Sequence, residues 1–297
     1  MKSLSRWIQF IMERFNPLYH FPMIVVFIGS HYTLYTHLIA TDLHESYSDF
    51  LHLIPLFLAV ALFFFILRLY DEIKDIEFDK NFHPERPVPR GFLHKREIKQ
   101  VILFLIIVEI LIFSFYGKQP LLLCLITIGY SLLMYKEFFL KEWLRAHLTT
   151  YAITHTFIVI LISQTLFIAL FANDPADFSL DLLYFSFGGW FIFNIFEFGR
   201  KTYAQSEEKK NLNSYSKVFG KLGAVLLVML MAVLNILFLD KVPVALNINL
   251  IVIFTVVMGF VGLIYAISKD TLFAKLYRST TLLYIILTYT TITIFCV

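Results

Sequence analysis

The chain has 297 residues, 59% of them hydrophobic and 16% charged, with 33 Phe and a mean hydropathy of +0.74. A soluble domain of this size carries roughly a quarter charged residues, so the composition excludes a soluble globular protein and a nucleic-acid-binding module. It indicates a polytopic membrane protein. Both cysteines, Cys124 and Cys296, sit in apolar runs, which leaves neither a disulfide framework nor a cysteine metal site.

In chain order, residues 1–18 are amphipathic, with Lys2, Arg6 and Arg14 set among Trp7, Ile8, Phe10, Ile11 and Phe15. The segment contains Glu13 and lacks a small-residue cleavage site, so an interfacial helix is expected rather than a signal peptide. Nine spanning helices are then expected at 20–40, 50–70, 98–116, 119–136, 147–171, 181–199, 220–239, 246–267 and 279–296, making an all-α bundle in a single domain over 1–297. If the N-terminus lies inside, all Lys and Arg residues except Lys118 and Lys241 fall on inward segments. The outward loops carry Asp42, Glu45, Asp49, Asp174, Asp177 and Asp181. By the positive-inside rule this orients the N-terminus to the cytoplasm. Within the spans, His31, His37, His155, Gln164 and Asn235 are either functional groups or hydrogen-bonded ties between helices. Gly188-Gly189, before Trp190, is suited to close helix packing.

The densest chemistry follows the second apolar run, from Arg68 to Gly91. Along a helix, Asp71, Asp75 and Asp79 advance about 400° per step and remain within roughly 80° of one another. Like charges at this spacing repel. Oxygen donors on one face suit a hard cation such as Mg2+. Pro84, Pro87 and Pro89 then prevent a continuous helix, so Arg86, Arg90, Lys95 and Arg96 are presented from an irregular segment. Arginine is suited to bidentate contacts with phosphate oxygens. A second polar stretch runs from Asn194 to Gly220, with Asn194, Glu197 and Lys201 on one helical face and Glu207 and Glu208 beyond. Acids that hold a metal, together with bases that neutralise phosphate, match a Mg2+-diphosphate headgroup whose apolar tail lies among the Phe-rich spans. The plainer alternative is a pair of basic loops touching anionic lipid.

Asp71-Glu72-x-x-Asp75-x-x-x-Asp79 resembles the Asn-Asp-x-x-Asp-x-x-x-Asp signature of the UbiA superfamily of intramembrane prenyltransferases. Arg86-Pro87-x-x-Arg90-Gly91 resembles the Arg-Pro-x-x-x-Gly element that follows it, and Ser214–Gly220 resembles the ending of the second family motif. The chain departs from the family at Asp71 and Glu72, which keep oxygen ligands. It also departs at Thr202-Tyr-Ala204, where a middle Asp is expected.

The resemblance implies a bundle with a central cavity that opens to the cytoplasmic side of the cell inner membrane. It implies Mg2+ held by Asp71, Glu72, Asp75 and Asp79 and by Glu197, with Glu207 and Glu208 as further candidate ligands. Arg68, Lys74, Arg86, Arg90, Arg200 and Lys201 would contact the diphosphate, and Asp75, Asp79, Glu197 and Lys201 would carry catalysis. The expected activity is ionisation of a prenyl diphosphate and transfer of the prenyl group to an aromatic or other lipophilic acceptor. The alternatives are a terpene cyclase of the same type and a non-enzymatic transporter or binder of an anionic lipid. Tyr130, Trp190, Phe193 and Tyr284 are candidate cavity liners, by cation–π contact or simply by packing. His155 is a candidate acceptor contact or base.

Overall fold

The computed structural model describes residues 2–39, 53–171, 180–208 and 213–295, and no strand occurs among them. Cys296 and the expected outer acids Asp42, Glu45, Asp49, Asp174 and Asp177 lie outside the described residues. The chain divides into two compact units, one of Met1–Ile28 with Glu45–Phe139 and one of Gly29–His44 with Leu140–Val297.

The first unit holds α1 (Lys2–Arg14), the start of α2 (Pro17–Ile39), α3 (Leu53–Lys74), α4 (Ile76–Phe82), α5 (Lys95–Phe115) and α6 (Lys118–Tyr135). α3 is apolar all round, as a helix surrounded by protein and lipid must be. Leu56, Val60, Phe63, Ile66 and Leu69 recur every three or four residues and are buried, while Ile54 and Leu58 face outward. The buried stripe packs on α5 and α6. α1 docks Phe10, and Phe15 just past its end, against Phe65 of α3. It leaves Leu4, Ile8 and Met12 exposed on a second apolar stripe, the arrangement of a helix lying in a membrane interface.

The second unit holds the rest of α2, then α7 (Lys141–Ala146), α8 (Leu148–Thr156), α9 (Ile158–Leu170), α10 (Leu180–Gly199), α11 (Tyr215–Leu239), α12 (Ile248–Ile267) and α13 (Thr271–Phe295). α10 packs against α8, α9, α11 and α13. Its glycines permit this, since a Cβ on Gly188 would meet Leu239 at 2.9 Å and one on Gly189 would meet the Tyr289 hydroxyl at 2.8 Å. The polar residues of these helices tie them together. His31 Nε2 lies 2.7 Å from Ser163 Oγ, Ser163 Oγ lies 2.7 Å from Ser186 Oγ, and Gln164 Nε2 donates to Ser186 Oγ at 2.7 Å. Asn235 donates to Gly188 O at 3.0 Å and accepts from the Tyr284 hydroxyl at 3.1 Å.

Among the described residues, seven segments are long and apolar enough to cross a membrane: Leu53–Lys74, Lys95–Phe115, Lys118–Tyr135, Leu148–Leu170, Leu180–Gly199, Tyr215–Leu239 and Ile248–Ile267. They correspond to the second to eighth expected spans. Helices of 23 and 25 residues, α2 and α13, occupy the first and ninth positions but are more polar, with His20, His31 and His37 in one and Lys275 and Arg278 in the other.

Candidate functional site

In the first unit α3 ends at Lys74, and Asp75 (φ −97°, ψ 5°) separates it from α4. The ladder continues through this break. Asp75 N–H donates to Asp71 O at 3.0 Å and Asp79 N–H donates to Asp75 O at 2.7 Å, so the three aspartates keep their helical succession. Their surroundings differ. Asp71 is exposed and pairs with Lys74 at 3.1 Å, and Asp75 is half-buried. Glu72 is 2% exposed, and one of its oxygens takes both Arg14 Nε at 2.7 Å and Arg68 Nη2 at 2.5 Å. Asp79 is also 2% exposed and takes Arg86 Nη1 at 2.7 Å.

The proline-spaced segment after α4 is a run of tight turns rather than an open loop. Arg90 N–H donates to Arg86 O at 3.1 Å, Gly91 N–H to Val88 O at 3.0 Å, and Phe92 N–H to Pro87 O at 2.8 Å. Gly91 has φ 75°, a conformation glycine adopts without penalty. The turns aim Arg86 back onto Asp79. Arg90 reaches Glu13 of α1 at 2.8 Å and stacks over Phe92. The hydrogen bond from Arg90 holds the Glu13 carboxyl below its ordinary pKa.

In the second unit, the expected face of Asn194, Glu197 and Lys201 is only partly assembled. Glu197, in the last turn of α10, takes Arg200 Nε at 2.5 Å and Lys201 Nζ at 2.8 Å. Asn194 instead donates to Trp190 O at 2.9 Å and accepts from the Thr156 hydroxyl at 2.9 Å. Glu207 receives a two-pronged contact from Arg278 of α13, at 2.8 and 3.0 Å, and the Ala204 N–H at 3.0 Å. The Arg278 hydrogen bond keeps the Glu207 carboxyl below its ordinary pKa. Glu208 accepts from Ser214 Oγ at 2.6 Å and Ser216 Oγ at 2.7 Å. Both glutamates thus brace the segment after α10. Residues 209–212 lie outside the described residues.

Of the proposed liners, Trp190 donates to Thr156 Oγ1 at 3.0 Å, Tyr130 lies edge-on to Phe138, and Phe193 is half-buried. Tyr284 serves the Asn235 tie described above. His155 stacks on Tyr151 with ring centroids 3.9 Å apart, and its Nδ1 lies 2.8 Å from Tyr151 O. Two residues that the sequence reading passed over are integral to these clusters, Arg14 on Glu72 and Arg278 on Glu207. A basic residue at the end of an amphipathic helix was the only signal for Arg14. Partners 58 and 71 residues away in sequence have no local signature.

Among the described residues no three His, Cys, Asp or Glu side chains converge as a metal cluster. Mg2+ commonly uses one or two carboxylates, with substrate phosphates and water completing its shell. The donors here are carboxylate oxygens, and Glu72 Oε2 and Glu208 Oε2 are buried without a hydrogen-bond partner. In kind, this donor set fits a hard divalent ion.

The sequence pattern of the UbiA prenyltransferase family matches residues 33–270, which takes in both acidic stretches. The chain belongs to that family. Solved structures of the UbiA fold agree. One, of a digeranylgeranylglyceryl phosphate synthase in membranes, is similar with a TM-score of 0.60 at 15% identity, over 99% of this chain and 98% of that one. The apo structure of a UbiA homolog from Aeropyrum pernix K1 gives a TM-score of 0.55 at 14% identity, over 89% and 96%. No curated protein sequence matches the chain. In this UbiA chain the Thr202–Ala204 stretch that replaces an expected Asp is used as scaffold. Thr202 O accepts from Arg278 at 2.7 Å and Tyr203 N–H donates to Ser216 Oγ at 2.8 Å.

Proposed function

We propose that the chain is a Mg2+-dependent intramembrane prenyltransferase that ionises a prenyl diphosphate and passes the prenyl group to an aromatic or other lipophilic acceptor. The observation that carries this reading is the family match across residues 33–270. In this reading each acid–base cluster offers its bases to diphosphate oxygens. Arg68, Lys74, Arg86 and Arg90 in one cluster, and Arg200 and Lys201 in the other, exchange their carboxylate partners for phosphate oxygens, which guanidinium forks fit in pairs. Asp71, Glu72, Asp75 and Asp79 in the first unit, and Glu197 in the second, are the carboxylates that would hold Mg2+. When bound, Mg2+ supplies neutralisation of the charge that develops on the departing diphosphate. Lys201 adds its charge to the leaving group as Glu197 releases it. Glu207, held by both prongs of Arg278, is assigned to bracing rather than ligation, while Glu208 braces through one oxygen, taken by two serines, and keeps Oε2 as a further candidate ligand.

The same reading takes α2 and α13 as two further spans, nine in all, within one functional domain over 1–297. It places the N-terminus and the opening of the site on the cytoplasmic side of the inner membrane. The aromatic, water-poor interior of the spans protects an allylic cation from premature capture.

The test is to incubate purified protein with Mg2+ and prenyl diphosphates of increasing length, with and without an acceptor. Pyrophosphate release that depends on the acceptor is the expected result. A cyclic hydrocarbon formed without an acceptor would instead assign a terpene cyclase, the alternative that the altered second motif leaves open. Absence of release under both conditions, or full activity after Asp75→Ala and Asp79→Ala, would overturn ionisation chemistry altogether.

A further inference from the structure

Asp71, Asp75 and Asp79 share one face of the α3–α4 run, and the other face lines a separate cleft of about 450 Å³. Three bases that the diphosphate reading does not use, Lys80, His94 and Lys95, line it together with Lys74, which pairs with Asp71, against one carboxylate, Glu77. Lys80 pairs with Glu77 at 2.9 Å, but both side chains are largely exposed, and such a pair exchanges readily for another anion. No carboxylate among the described residues pairs with Lys95. The cleft also opens at the start of α5, a 21-residue helix, where the helix dipole favours an anion although His94 and Glu97 already cap its N-terminus. Its apolar wall includes the buried Ile73 and Leu93.

Two observations place this cleft at a lipid boundary. Lys74 is the last residue of one candidate span and Lys95 the first of the next, so the cleft sits level with the ends of two membrane helices. α1 is fastened to the same strip of chain, with Arg6 donating to Phe92 O at 3.1 Å and to Glu97 at 2.7 Å, and its Leu4–Ile8–Met12 stripe is exposed. A basic cleft with an apolar wall at headgroup depth has the chemistry to hold a phosphate group attached to a lipid.

We propose that this cleft is a second anion site, independent of the diphosphate chemistry, which binds a phosphate group carried by an anionic phospholipid or supplied as free phosphate. Full-length protein would be examined by native mass spectrometry after exchange into micelles containing phosphatidylglycerol or phosphatidylcholine, and by calorimetric titration with inorganic phosphate. Wild-type protein is expected to retain phosphatidylglycerol over phosphatidylcholine by roughly tenfold or more, and Lys80→Gln with Lys95→Gln to abolish that preference. Saturable binding of inorganic phosphate alone, lost in the same double variant, would equally support the site and identify its source as free phosphate. Glu77→Gln, which removes the only carboxylate in the cleft lining, is expected to tighten binding, and it keeps the question open to test if the double variant folds poorly. Absence of saturable binding of either probe would overturn the proposal. So would unchanged binding in the double variant, or unchanged or weakened binding in Glu77→Gln.

Discussion

At Glu72, one buried carboxylate oxygen is shared by two guanidinium groups, from Arg14 and Arg68. Removing its charge leaves two partly buried cations without their anion, a heavier penalty than losing an exposed pair. Glu72→Gln is therefore expected to destabilise the folded protein by about 2 kcal/mol, discounted from the fully buried case because both arginines retain some exposure. Equilibrium unfolding in mixed detergent micelles measures this; a loss under about 0.5 kcal/mol, the scale of a surface substitution, would show the pairs to be superficial. Glu207 yields a pH dependence. Its folded-state pKa is depressed below 4.5, so the unfolded chain binds the proton more readily. The stabilisation is complete above 4.5 and is lost as pH falls through the folded value. Arg278→Met should flatten this acid limb of the stability profile, and an unaltered limb would assign the acid sensitivity to other carboxylates.

At the scale of elements, the close approach of α10 and α13 depends on a glycine. A Cβ at Gly199 would overlap the side chain of Thr281, so Gly199→Ala must push the helices apart or force a strained rotamer. A loss of about 1–3 kcal/mol is expected, as for overpacking elsewhere. A double-mutant cycle with Thr281→Gly should return a favourable coupling, because the overlap is then removed. Additive effects would mean the contact is not made. The α3–α4 junction illustrates a different point. The spacing of Asp71, Asp75 and Asp79 was legible from helical periodicity, and the i→i+4 bonds preserve it through the break at Asp75. Which aspartate is buried, and which base occupies it, was not legible, because Arg86 reaches Asp79 only through turns closed by Pro87 and Gly91.

For the whole molecule, the proposal that α2 and α13 also span, making nine, requires the two termini to lie on opposite sides of the membrane. Green fluorescent protein fused to the N-terminus should fluoresce, while a C-terminal alkaline phosphatase fusion should be active; termini reporting the same side would remove one of α2 and α13 from the count of spans. The sequence by itself determined the membrane class, the seven most apolar helices, the family and the position of both acidic stretches. The membrane class and the helices follow from composition and periodicity, and the family from the resemblance of the motif residues, all of them local properties of the chain. Only the tertiary structure decided how the charged residues of each unit pair. Arg14 with Glu72, Arg86 with Asp79 and Arg278 with Glu207 depend on which helices become neighbours, and burial makes these contacts strong where water would screen them. The stretch from Arg68 to Gly91 is therefore two-sided: the aspartate side follows from the motif, whereas the basic cleft behind it exists only because α5 begins beside the end of α3.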